Sequence, residues 1–110
     1  MDMPTDHPIT ITVDTRTGDF TYAPTHVRAR PGDTITFTSP TGPFEVMFKK
    51  TTPGDKVHLH NPRPIDPPDA NPHKMTVNVR GVHQYGAAVY DPAGNQVFID
   101  TGCGDVGVGD

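Results

Sequence analysis

Two histidines one residue apart, His58-Leu59-His60, are the sharpest chemical feature of the chain. Side chains two apart on a strand share a face, so both imidazoles can close on one metal ion. Copper or zinc is the ion that such nitrogen donors suit, with His73 or His83 as a third ligand. Lys56 lies in line with the pair, and no cysteine or carboxylate stands at ligand spacing beside it. Two polar residues on the wet side of a strand therefore account for the spacing as well as a metal does, and the spacing alone leaves both readings open.

Cys103 sits in Gly102-Cys103-Gly104. A nucleophilic thiol needs a neighbouring base or a helix N-terminus to lower its pKa, and a glycine-flanked segment supplies neither. An intermolecular disulfide is the remaining chemical use of that thiol. Asp100, Asp105 and Asp110 recur among glycines, but at a spacing that matches no calcium loop. No glycine-rich phosphate loop, serine-nucleophile motif or carboxylate pair is present, so a non-enzymatic protein is expected.

The charge balance narrows the partners. A formal net charge of -4 with nine scattered basic residues gives no footprint for nucleic acid. No run approaches the length of an apolar membrane-spanning helix, and no membrane span is expected. Residues 1–8 are polar and carry no secretory signal, so export is expected only if an upstream segment has been removed, and the compartment stays open. A protein partner, or a second copy of the chain, is the class of partner that remains.

The elements that must position these residues are strands. The chain has 11 Val, 5 Ile and 15 Thr but one Leu and one Glu. The first three favour strands and the last two favour helices. Apolar and polar residues alternate in Ile9–Val13, then from Val27 through Phe37, from Phe44 to Phe48, around Leu59, from Met75 to Val79, and from Tyr85 to Val89. Pro31-Gly32-Asp33 reads as the turn of a hairpin over residues 26–38. Five prolines within residues 61–73 forbid helix and central strand alike and predict a long, stiff connection. A chain of 110 residues makes one domain. The expected organisation is a loose leader over 1–8, a β domain over 9–100, and a Gly-rich tail over 101–110. Seven or eight short strands at this spacing predict an all-β Greek-key sandwich.

The segment Phe20-x-Tyr22-x-Pro24-x-x-Val27-x-Ala29-x-Pro31-Gly32-Asp33-Thr34-Ile35-Thr36-Phe37 resembles the front half of the cupredoxins, the plastocyanin-like blue-copper proteins. The resemblance extends loosely over residues 9–99 and implies a cupredoxin-like sandwich. It also says where copper ligands would stand. The first histidine position is Phe44. The cysteine position is Val89 or Tyr90, and the second histidine position is Pro92 or Ala93. No Met follows Met75 and no His follows His83, while Cys103 comes after every His. A blue-copper centre needs two imidazoles and a thiolate. The resemblance thus implies the scaffold without its type 1 copper, acting through protein contacts as an accessory or oligomerising domain.

Overall fold

The computed structural model describes residues 3–109, the Cys103 side chain excepted. It is all-β, with no helix among the described residues. Nine strands form two mixed sheets, one or two strands more than the alternation predicts. They are β1 (Asp6–Asp14), β2 (Asp19–Ala23), β3 (His26–Ala29), β4 (Thr34–Thr38), β5 (Phe44–Phe48), β6 (His58–His60), β7 (Lys74–Thr76), β8 (Gly81–Asp91) and β9 (Gln96–Val108). The four-stranded sheet runs β2-β1-β4-β7, and the five-stranded sheet runs β3-β9-β8-β5-β6. The β1–β4 and β3–β9 pairs are parallel, and the remaining pairs are antiparallel.

Alternation explains the core. Ile9, Ile11 and Val13 of β1, with Ile35 and Phe37 of β4, turn inward from one sheet. Phe44, Val46 and Phe48 of β5 and Tyr85, Ala87 and Val89 of β8 turn inward from the other. The two inner faces share one buried cluster, which makes a sandwich. Tyr85 stands at its centre, with the rings of Tyr22, Phe37 and Phe48 edge-on at centroid distances of 5.2, 5.1 and 5.7 Å. Edge-to-face pairs of this kind add about 0.5–1.5 kcal/mol each beyond the area they bury.

Three expectations need correction. Residues 26–38 are not a hairpin: β3 lies in the five-stranded sheet and β4 in the other. The Pro31-Gly32-Asp33 turn carries the chain between layers instead. Gly32 holds a φ of +97°, and Asp33 N–H bonds the Arg30 carbonyl at 3.0 Å. Gly32 N–H also donates to the Val77 carbonyl and Val77 N–H to that of Asp33, which pins the turn to the strand end beyond β7. Alternation identifies a strand but not its neighbour.

The leader is shorter than expected, because β1 begins at Asp6. The Asp6 carboxylate accepts hydroxyl bonds from Thr34 and Thr36 at 2.6 and 2.8 Å, across the β1–β4 pair.

The Gly-rich segment is not a tail. Residues 101–108 continue β9, with Val106 and Val108 buried beside β3 and β8. The glycines there make room rather than slack. A Cβ on Gly104 would overlap the Tyr85 ring, and Gly102 holds a φ of +116° beside the Tyr85 carbonyl. The expected connection over 61–73 is a loop that folds back along the sheet edge. His60 N–H donates to the Pro72 carbonyl, and an Arg63–Asp66 pair clasps the loop's middle.

Candidate functional site

The outer face of the five-stranded sheet carries the most distinctive surface. Inward residues of β8 alternate with Val82, Gln84, Gly86, Ala88 and Tyr90, so these five point outward. Gly86 and Ala88 have almost no side chain and form a trough. Met47 of β5 is the register partner of Gly86, and Ile99 of β9 is the partner of Ala88. The ladder shifts register between Tyr85 and Ala87, where β9 bulges. Gly86 is required there, since a Cβ would press on the Asp100 carbonyl oxygen. The resulting groove encloses about 490 Å³, and its floor is mainly apolar.

Met47 and Ile99 line it, and Val82 and Val97 stand exposed elsewhere on the same face. Ile99 is 74% exposed, Val82 69%, Val97 57% and Met47 49%. Scattered exposed apolar residues are ordinary; these four share one sheet face. Charged groups sit at the rim. His58 Nδ1 lies 3.0 Å from the Glu45 carboxylate, Lys49 stands at the other end of β5, and Asp100 accepts the Tyr22 hydroxyl at 2.6 Å.

The histidines singled out by spacing do not converge. His58 and His60 do share the outer side of β6, with Leu59 buried between them. His60 Nδ1 donates to the neighbouring Asn61 carbonyl at 2.8 Å. The buried Nδ1 of His73 has no hydrogen-bond partner among the described residues. His83 is sealed in the interior. Its Nε2 lies 2.8 Å from the Val79 carbonyl, which can only accept, so that nitrogen carries the proton. Its Nδ1 pairs with the Thr51 hydroxyl at 2.6 Å, so both ring nitrogens are engaged. Among the described residues, no three His, Cys, Asp or Glu side chains are grouped so as to hold a metal ion. The Cys103 side chain, a candidate for an intermolecular disulfide, lies outside the described residues.

Of the copper positions that the resemblance implies, Phe44 and Val89 lie side by side, and neither is a donor. Phe44 and Val89 are register partners, both buried. Tyr90 turns to the outer side and donates its hydroxyl to Asn95 at 2.7 Å. Pro92 and Ala93 lie in the turn after β8. No imidazole or thiolate stands at any of these positions, so a blue-copper ion does not fit there.

Two other groups are electrostatically unusual. The Asp33 carboxylate accepts the Thr5 N–H at 3.0 Å, the His7 ring at 3.0 Å and the Arg30 N–H at 3.0 Å. The Thr5 bond foremost, then the His7 and Arg30 bonds, lower its pKa to about 2. Burial, and secondarily the charge of Asp105, push the Tyr85 phenol far above its ordinary range, and its hydroxyl has no hydrogen-bond partner among the described residues. Both groups organise the fold and lie away from the groove. The groove itself has no short sequence motif; its signal is the pairing of small residues on β8 with bulky outward ones on β5 and β9. No helix of the described residues is long and apolar enough to cross a membrane. No family model matches the chain, and the search of curated proteins finds no similar one.

Proposed function

We propose that the chain is a non-enzymatic, copper-free module of cupredoxin-like, Greek-key architecture. It acts through protein contacts made by the outer face of its five-stranded sheet. The observation that carries this reading is the Phe44–Val89 pair, in which apolar packing occupies the first histidine position and one of the two cysteine positions that the resemblance implies. The repeated passage of the chain between the two sheets supports the Greek-key part. The exposed Met47, Val97 and Ile99 side chains beside the small Gly86 and Ala88 support the contact part.

Titration of the pure full chain with copper(II) tests the copper-free half. The expected result is no intense visible charge-transfer band. A strong band at one ion per chain overturns it. For the contact half, a photo-crosslinking side chain at Ile99 is compared with one at Thr12, which faces outward from the other sheet. Protein adducts are expected at 99 only; equal labelling at both positions overturns it.

A further inference from the structure

We propose that the groove face docks a second copy of this chain, in a face-to-face dimer whose two-fold axis crosses Met47 and Gly86. The inference rests on the contact reading above and names its partner.

The outward residues of β5 are Glu45 and Met47, and Lys49 follows one residue past its end: an anion, an apolar group and a cation, all exposed. Two sheets that face each other across a two-fold must be related by an axis lying in the interface plane. An axis at right angles to β5 over Met47 reverses that strand. It lays Glu45 over the partner's Lys49, and Lys49 over the partner's Glu45. Such an interface is self-complementary, as isologous dimers require. Within one chain these two charges stand about 14 Å apart along the strand, too far to pair with each other. Glu45 pairs with the exposed His58, in a contact open to water and to exchange.

The same operation fits β8. Gly86 is the register partner of Met47, so the axis crosses it as well. Reversal about Gly86 brings Val82 against the partner's Tyr90, whose neighbour on β9 is Val97. The exposed Val82 and Val97 lie at opposite ends of the face, and a single rotation covers both. Where the axis passes, the two Met47 side chains meet above the Gly86 troughs. Methionine is flexible enough to fill such gaps.

Strand spacing and rise give a face on the order of 600 Å² per chain. Stable interfaces bury roughly 800 Å² per partner, so the dimer is expected to depend on concentration.

The test is sedimentation equilibrium of the full chain across a wide concentration range. The mass should rise from 11.9 kDa towards twice that value. Lys49→Glu alone, or Glu45→Lys alone, sets like charges opposite each other at both ends. Each should weaken association about tenfold with an unchanged circular dichroism spectrum. An equimolar mixture of the two variants should restore association, because each new Glu then meets a new Lys. Val82→Asp should weaken association independently of the charged pair. A chain that stays at 11.9 kDa throughout, or a dimer indifferent to both charge reversals, overturns the proposal. Neither outcome bears on the copper-free reading, which copper titration decides. Crosslinks from Ile99 to a different protein in a chain that stays monomeric would overturn the dimer and leave the contact reading standing.

Discussion

Phe44 on β5 and Val89 on β8 lie opposite each other in register, both turned into the core. The resemblance to cupredoxins implies a nitrogen donor at Phe44 and a sulfur donor at Val89 or Tyr90, and here Phe44 and Val89 pack as hydrocarbon. The Phe44 ring therefore stabilises the sandwich by burial. Its removal leaves a cavity beside Val89, and Phe44→Ala should cost about 3–5 kcal/mol in urea denaturation. Phe44→His supplies one imidazole without a thiolate partner, so it should give no visible copper band.

Asp33 makes the stability of the fold sensitive to acid. Its folded pKa is about 2, below the ordinary value of 3.8. A carboxylate depressed on folding stabilises the protein above its unfolded pKa, and that contribution is lost as pH falls through the folded value. The window therefore runs from about pH 4 down to about pH 2. Thermal midpoints should fall more steeply over that range in the parent than in Asp33→Asn, which has no charge to lose. Equal slopes would mean that the Thr5, His7 and Arg30 contacts do not depend on the ionised form.

Tyr22 and Asp100 join the two sheets through a 2.6 Å hydrogen bond between β2 and β9. Tyr22→Phe keeps the ring edge-on against Tyr85 and removes only the hydroxyl. A hydrogen bond to a charged acceptor contributes about 1.5–3 kcal/mol, and the partial exposure of Asp100 favours the lower end. Guanidinium denaturation should register that loss without a change in m-value.

The strand segments were legible because their burial is two-sided. Ile9, Ile11 and Val13, or Phe44, Val46 and Phe48, alternate with polar residues that face water, and that period survives in the sequence. Strand partners were not legible. Val27 and Ile35 alternate as a hairpin would, yet β3 joins β9 and β4 joins β1. That choice depends on which inner faces interlock, and a single strand carries no record of it. The groove was hidden for a related reason. Gly86 and Ala88 acquire meaning only once Met47 and Ile99 are placed on either side of them. His58 and His60 stood out by spacing, but spacing could not reveal that His83 is consumed by Thr51 and Val79.

The histidine pair makes its own prediction. His58 Nδ1 is taken by Glu45, and His60 Nδ1 by the Asn61 carbonyl. Each ring keeps one nitrogen, and no third ligand is grouped with them among the described residues. Calorimetry with zinc and copper should give weak heats that scarcely differ between the parent and the His58→Ala, His60→Ala double variant. Tight binding in the parent that the double variant abolishes would make metal carriage the better reading.

Gly104 tests whether the C-terminal residues belong to the fold. Glycine is easily taken for a sign of looseness, since it costs the most entropy to order. At 104 it is instead the one residue without an atom where the Tyr85 ring lies. Tyr85 cannot give way, because Tyr22, Phe37 and Phe48 hold it edge-on from three sides. Gly104→Ala must therefore displace β9 or the ring, and overpacking of this kind costs about 1–3 kcal/mol. Deleting residues 101–110 goes further, because it removes Val106 and Val108 from the core and strips β3 of the part of β9 it pairs with. That truncation should not give a cooperative thermal transition, whereas a mobile tail could be removed with no change in midpoint.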